Sequence, residues 1–521
     1  MTLVLMGLPT ARALMRPVLL SRQCTSSLGT IPSVSMATAA GSSRRARQRQ
    51  KKRGAQQPRT PRVMVRPPSG VPDVAKVEPE RYDELLDQKL GKMRSLLEGV
   101  VPDELPPMEV FESARENFRM RASFATWREG QEVHYVMFNQ GDPDRMPIQA
   151  TSFPMGSRLI NELMPLVRAS VEANPVLNEK IGDVRFLTTT TGEALVTITY
   201  NRPINESWVE AATAMQQQLA EEAESGSGRL GALGSGVNGN GDPLVRFVGR
   251  SRKLKLVVGG ETVREILRVP ARGECVYTQT EGAFTQPNAH VCEAMLGWAY
   301  DTTRGSEGSD LCELYCGNGC FTVALAPNFR RVVATELSKS SVTLAQRNLA
   351  ANQLTNVRVA ALSAEDFVAA YSGEKRFHRL ENSGIRLEGG WTLPLPVKLR
   401  VGGGGGGVGG GGDGGGGRDG GGRGSSGSVD GGSGSPPAPD TLVFDRLKTL
   451  FVDPPRAGLD TTCRELAATF DTVVYISCNP DTLARDLQEL SATHVVKRLA
   501  AFDQFPYTHH LEAGVLLERR G

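Results

Sequence analysis

Phe451-Val452-Asp453-Pro454-Pro455-Arg456, Tyr475-Ile476-Ser477-Cys478-Asn479-Pro480 and Phe502-Asp503-Gln504-Phe505-Pro506-Tyr507-Thr508-His509-His510-Leu511-Glu512 follow one another near the end of the chain. Each phrase opens as an apolar, β-rich run and ends on polar residues beside a proline or a turn. Open α/β sheets bind ligands beyond the carboxyl ends of their strands. The spacing therefore predicts three strands that bring an acid, a thiol and a second acid to one crevice.

A thiolate adds to electron-poor carbon, and a carboxylate removes a proton afterwards. Methylation of a pyrimidine at C5 needs both, because C5 is a poor nucleophile until a thiolate has added at C6. On the residues alone two plainer readings stand beside this one. Cys478 is also what a small buried apolar residue after a strand looks like, and Glu512 what a surface acid opening a strand looks like.

A second constellation lies upstream. Asp310-Leu311-Cys312-Glu313-Leu314-Tyr315 reads as a strand, Cys316-Gly317-Asn318-Gly319-Cys320 as a glycine turn, and Phe321 to Ala326 as the start of a helix. The next strand, Val332 to Glu336, ends in an acid 19 residues after Gly317. Glycines allow close approach of backbone to ligand, and an acid at that distance accepts hydrogen bonds from ribose hydroxyls. A dinucleotide fingerprint would carry a third glycine near Thr322, so S-adenosylmethionine is expected ahead of NAD or FAD.

These phrases, together with Phe284-Thr285-Gln286-Pro287-Asn288, resemble the TrmA-type tRNA (uracil-5-)-methyltransferase family over most of the chain outside the N-terminal tail and two inserts. The resemblance implies a C-terminal Rossmann-like class I methyltransferase domain of α/β type behind an α+β RNA-binding domain. It implies S-adenosylmethionine-dependent C5-methylation of the T-loop uracil of tRNA, uridine 54, through a covalent Cys–C6 adduct. Cys478 would be the nucleophile and Glu512 the proton acceptor. Gln286, Tyr315, Gly317, Cys320, Glu336 and Asp453 would hold the donor, although the family usually has Asn where Cys320 stands. Asp453-Pro454-Pro455 is shared with amino methyltransferases, which need no cysteine, so Cys478 discriminates. Two other functions remain open: a tRNA-folding factor without turnover, and methylation of ribosomal RNA. The ribosomal-RNA relatives bind an iron–sulfur cluster through N-terminal cysteines, and no Cys lies between Cys24 and Cys275; no cluster and no metal are expected. Cys312, Cys316 and Cys320, and the group His509, His510 and Glu512, are weaker metal candidates without matching ligands.

The charge is unevenly spread. Residues 1–72 hold thirteen Lys or Arg and no acid, and the remainder holds 47 basic and 57 acidic residues. RNA affinity of that acidic body must come from a local patch. Candidates are Arg119 and Arg121, on a strand expected over Phe118–Trp127, and Arg250, Arg252 and Lys253, on a basic strand expected over Val245–Val258. The acid-free start reads as an organelle transit segment, plastid before mitochondrion; its basic run from Arg44 to Arg53 also fits a nuclear signal or a nonspecific RNA tether, but the acid-free sequence on both sides favours transit. No apolar run is long enough to span a bilayer. Eight cysteines in 521 residues give no disulfide framework. Monomer is the default assembly.

The domain expectation is a tail over 1–72, an RNA-binding domain over 73–280 and a methyltransferase domain over 281–521. Two segments read as flexible: Glu221 to Gly241, and Gly402 to Ser435 with 22 of the 58 glycines. Helices are expected over Pro79–Val100, whose leucines form one stripe, over Gly156–Glu172 and from Pro287 to about Tyr300. Further strands are expected over Val133–Asn139 and Ala194–Tyr200. Onward from the donor motif the pattern gives a helix over Ser338–Asn352, a strand over Val357–Leu362 and a helix over Ala364–Tyr371.

Overall fold

The computed structural model describes residues 66–139, 146–225, 230, 236–387 and 441–521. Two eight-stranded sheets organise them. In the C-terminal sheet the spatial order is Val357–Ala360, Arg331–Thr335, Asp310–Leu314, Leu447–Val452, Thr472–Ser477, Glu512–Arg519, His494–Phe502 and Met108–Phe111. The first five strands are parallel, and Glu512–Arg519 runs antiparallel to both its neighbours. The central strands are buried on both faces, as in Leu450, Phe451, Val452, Val473, Val474 and Tyr475, all at 0% exposure. Continuous apolar runs of this kind belong to parallel strands covered by helices on both sides.

One face packs on the helices Tyr82–Glu98, Thr461–Ala467 and Pro480–Leu490, the other on Ala289–Thr302, Cys320–Leu325 and Lys339–Ala351. The strand order reverses between Asp310–Leu314 and Leu447–Val452, which is where open sheets leave a crevice for ligands.

The other sheet has the order Ser69–Gly70, Pro147–Ala150, Glu132–Phe138, Arg121–Glu129, Ile181–Thr188, Ala194–Tyr200, Val245–Ser251 and Leu254–Val258. Arg158–Ala173 and Glu206–Glu224 cover it, with Phe124, Ile160, Phe186, Trp208 and Phe247 in the shared core. Ser157 caps the first of these helices by accepting from Ile160 N.

Several boundaries differ from the sequence reading. Tyr82–Glu98 and Met108–Phe111 join the C-terminal sheet: Leu86, Met93 and Leu97 pack beside Leu483 and Leu487, and Met108–Phe111 pairs with Leu499–Phe502. The leucine stripe identified the helix but carried no information about which sheet it covers. The hairpin Thr262–Val269 and Gly273–Thr280 also packs on the C-terminal core, through Leu267, Val269, Cys275 and Tyr277. The stretch 73–280 is thus divided between the two sheets at both its ends. Residues 66–72 are part of the fold, since Ser69–Gly70 pairs with Gln149–Ala150 and Arg66 bonds Glu132 at 3.1 Å. The run Val245–Val258 is a hairpin, not one strand, and turns at Arg252 and Lys253. The helix Glu206–Glu224 extends into the expected insert 221–241, and 238–242 form a bonded turn; 226–229 and 231–235 of that insert lie outside the described residues. The glycine segment 402–435 and residues 1–65 also lie outside them. Among the described residues, no helix is long and apolar enough to cross a membrane.

Candidate active site

Strand register brings the three C-terminal phrases together. Val452 pairs with Leu314 on one side and Tyr475 on the other, so Asp453 follows directly at the sheet's ligand edge, beside Tyr315. Ser477 pairs with Ala513 across an antiparallel step. Cys478, one residue on, and Glu512, one residue back, therefore face each other. Glu512 also pairs with Phe502, so residues 503–511 form a loop that leaves and returns at the same sheet edge.

Local turns hold the thiol in place. Asn479 caps the helix Pro480–Leu490, accepting from Asp481 N, while its Nδ2 donates to Arg456 O at 3.0 Å. Thr482 Oγ1 donates to the same carbonyl at 3.3 Å. Beneath them the buried Asp486 accepts from Leu459 N at 2.9 Å and Tyr475 OH at 2.7 Å, and receives Arg485 at 2.6 Å. The Asp-Pro-Pro-Arg loop and the Cys loop are thereby tied to one helix.

The electrostatics follow from burial. Desolvation pushes the Cys478 thiol up to about 11; Glu512 and Asp453 add to that, and Arg456 opposes it. Desolvation, then Asp453, raises Glu512 to about 8, again against Arg456. Desolvation raises Asp453 to about 7. Two neighbouring acids that hold their protons near neutrality suit proton transfer. Cys478 opens onto an 850 Å³ cavity whose other walls include Lys89, Arg456, Asn479, His509 and His510.

The donor motif folds as a strand, a turn and a helix. Tyr315 takes φ 62°, an uncommon conformation for a tyrosine, and turns the chain out of the sheet. Gly317 and Gly319 have φ 56° and 80°, and Gly319 caps Cys320–Leu325. The Glu336 carboxylate accepts from Gly317 N at 3.1 Å and Ser338 N at 2.6 Å, which fixes it against the glycine turn. Gln286 lies across the cleft, its Oε1 accepting from Gln504 Nε2 at 2.8 Å. Tyr315, Gly317, Glu336 and Asp453 line one edge, with Gln286 and Cys320 on a narrow cleft shared with Asn318 and Cys292. Cys320 Sγ lies 3.8 Å from Cys292 Sγ. The Cys312, Cys316 and Cys320 series is not gathered: Cys312 packs in the core on one face of the sheet and Cys316 in the other.

Glu313 was missed. It is 1% exposed, desolvation raises it to about 8, and its Oε2 has no partner. An acid between Cys312 and Leu314 in the middle of a buried strand, without the arginine partner that Asp310 has at its start, was the available signal, since buried acids are rare unless paired or used. Arg456 and Gln504 stood in the quoted phrases without a role, and His510 only as a weak metal candidate. Lys89 left no signal, because its contacts lie more than 400 residues away.

The candidate RNA residues fall in three places. Arg119 and Arg121 line a 510 Å³ cleft between the first sheet and Thr280–Thr285, adjoining the cavity at Cys478 through Met155 and Thr508. Burial, then the Arg121 charge, lowers Arg119 to about 10. Arg121 sits 5.4 Å from the ring centre of Phe284, itself 65% exposed. Arg250 is engaged by Glu281, with Nε to Oε2 at 2.6 Å. Arg252 and Lys253 form the exposed hairpin tip.

A family profile described as tRNA (uracil-5-)-methyltransferase matches residues 81–226, 237–390 and 442–520. A Vibrio cholerae protein named tRNA/tmRNA (uracil-C(5))-methyltransferase is 40% identical over 444 residues, covering 85% of this chain and 98% of that protein. A protein of the same name from Chromohalobacter salexigens is 42% identical over 447 residues, covering 85% and 97%. The crystal structure of Pyrococcus abyssi tRNA (uracil-54, C5)-methyltransferase in complex with S-adenosyl-L-homocysteine superposes with a TM-score of 0.51 at 16% identity, covering 84% of this chain and 83% of that one.

Proposed function

The chain belongs to the tRNA (uracil-5-)-methyltransferase family, and on that premise we propose that it methylates C5 of the T-loop uracil of tRNA, uridine 54, through a covalent adduct at Cys478. One observation carries the reading: strand register sets a thiol and a buried carboxylate opposite each other at the ligand edge of the sheet.

The donor-site residues fit S-adenosylmethionine. Glu336, fixed by two backbone N–H groups, offers its carboxylate to ribose hydroxyls, and the buried acids Glu313 and Asp453 suit a cationic ligand. Gln286, Tyr315, Gly317 and Cys320 complete the set. When bound, S-adenosylmethionine supplies the electrophilic methyl carbon that C5 takes.

The chain's own residues do the rest. Arg119 and Arg121 meet the RNA in the cleft beside the cavity, with Arg250, Arg252 and Lys253 further along the first sheet. The target base leaves its stack to enter the cavity, as chemistry on a base requires. The Cys478 thiolate forms a bond to C6, and the displaced electron pair makes C5 nucleophilic. Arg456 lowers the cost of that thiolate against Glu512 and Asp453. After C5 is methylated, Glu512 takes the C5 proton, the C5=C6 bond re-forms, and the thiolate leaves.

Incubation of unmodified T-arm RNA with the protein and S-adenosylmethionine should yield 5-methyluridine at uridine 54, read by nucleoside analysis. Cys478→Ala should bind RNA and trap no denaturation-stable adduct with 5-fluorouracil RNA. Methylation at another position, or an adduct in that variant, overturns the reading. The acid-free segment supports delivery to an organelle, plastid first, tested by fusing residues 1–72 to a fluorescent reporter; a cytosolic reporter overturns it.

A further inference from the structure

We propose that Lys89 is a positioning residue for proton abstraction, acting through the loop Asp503–Leu511; this rests on the roles proposed above for Cys478 and Glu512. Lys89 lies on the helix Tyr82–Glu98, and its side chain is 8% exposed. Its ammonium reaches Asp503 Oδ1, Phe505 O at 3.3 Å and His510 O at 3.3 Å. An ammonium has three N–H groups, and all three find acceptors in this one loop. Asp503 is 1% exposed, so Lys89 is the partner that makes its buried charge tolerable.

The loop touches every part of the site. Gln504 bonds Gln286 on the donor side. His510 Nε2 lies 3.4 Å from Arg456 Nη2, beside the Cys478 loop. Glu512 follows two residues later. The start of the loop has an independent anchor, Asp503 N to Phe111 O at 3.0 Å, and Tyr507 OH donates to Arg115 O at 2.7 Å. The stretch from Phe505 to His510 has its carbonyls gathered by Lys89. Loss of the ammonium frees that stretch except at Tyr507, and with it the terminal rung Phe502–Glu512 that closes the loop, while the inner rungs of the two strands keep their pairing.

The proposal makes a step-specific prediction. Lys89 makes its own hydrogen bonds only to the loop. It reaches the thiolate and the donor only at second hand, through His510 on Arg456 and Gln504 on Gln286, so thiolate addition and methyl transfer lose less than the step at the end of the loop. Removal of the C5 proton uses Glu512 at the end of the loop. A Lys89 variant therefore stalls after methyl transfer and accumulates the methylated covalent intermediate.

The test is single-turnover kinetics of the full chain on T-arm RNA tritiated at uracil C5, with S-adenosylmethionine carbon-labelled in the methyl group. In Lys89→Met, tritium release should fall by at least about tenfold while methyl incorporation stays within about threefold, and a denaturation-stable protein–RNA band should appear. Lys89→Arg, which keeps charge and donors, should recover part of the release. Parallel loss of both labels would mean a merely structural role, and unchanged release would mean none; either overturns the proposal. If Lys89→Met does not fold by circular dichroism, Asp503→Asn is measured instead, with the same signature expected and the same results against it. Failure of the wild type to trap 5-fluorouracil RNA sinks the Cys478 reading and this proposal with it; with trapping intact, unchanged tritium release from the Lys89 variant overturns the present proposal alone.

Discussion

Glu512 holds its proton up to about 8, because burial and Asp453 oppose its charge. A base must first be ionised, so C5-proton abstraction should rise with pH and level off above about 8. A flat profile of tritium release between about pH 6 and 9 would contradict this. The same shift bears on stability. The unfolded carboxyl ionises near its ordinary 4.5, the folded one near 8. Between those values the unfolded chain has lost a proton the folded chain keeps, so rising pH favours unfolding. Glu512→Gln should therefore melt about 2–4 °C above the wild type at pH 8 and level with it at pH 4, yet abstract the proton at least about 100-fold more slowly. At this scale the sequence was informative about placement: Asp453 and Cys478 follow apolar runs that end at a proline or turn, Glu512 opens one, and the register brings all three to one sheet edge. It was silent on Lys89 and on what Gln504 bonds, because those roles exist only once distant segments meet.

Helices and strands with clear periodicity were legible to within a few residues. Tyr82–Glu98, Arg158–Ala173, Ala289–Thr302 and the donor strand all lie where apolar spacing puts them. The hairpin Thr262–Val269 and Gly273–Thr280 was not, because Glu265 takes an inward position between Val263 and Leu267 and breaks the apolar face; it is buried there through bonds to Thr190. The turn of the basic hairpin was hidden because Arg252-Lys253 lacks turn chemistry. Lys253 pays for its place with φ 62°. Lys253→Gly should relieve roughly 0.5–1 kcal/mol of strain and, if the tip meets RNA phosphate, lower the salt slope of binding by about one. A denaturation curve and a salt titration check the two effects separately. On the helix Tyr82–Glu98, Leu97 is fully buried. Leu97→Ala should cost about 2–4 kcal/mol and slow turnover as well, since the same helix walls the cavity.

For the whole molecule, the family resemblance implied the fold class that is found: a largely parallel α/β sheet of the class I methyltransferase type beside a second, mixed sheet. The sequence could not place the seams, because amphipathic stripes say that a face is buried and not what buries it. The described fold does not wait for residue 73. A chain begun there loses Ser69–Gly70 and the Arg66 pairs, and with them the outer neighbour of Gln149–Ala150, whose strand keeps its pairing with Val136–Phe138. Such a truncation should unfold at lower denaturant than one begun before Arg66. Between residues 387 and 441 the body is closed by a short parallel pair, Ile385–Leu387 with Leu442–Phe444. Parallel neighbours cannot be joined by a tight turn and need about a dozen residues of crossover. Shortening 388–440 to about that length should leave melting and turnover unchanged, and an inactive but folded product would contradict this.

That clasp has a consequence for how such a chain can change over time. Above the minimum crossover, each doubling of the intervening length costs only about 0.6 kcal/mol in closure entropy. Replication slippage in a glycine-coded tract could therefore lengthen or shorten it over generations with little for selection to notice. The same tolerance makes the position an expansion port for an affinity handle or a fluorescent domain, since the clasp meets the amino edge of the sheet at Arg330 and Arg331, opposite the carboxyl edge that carries Asp453 and Cys478.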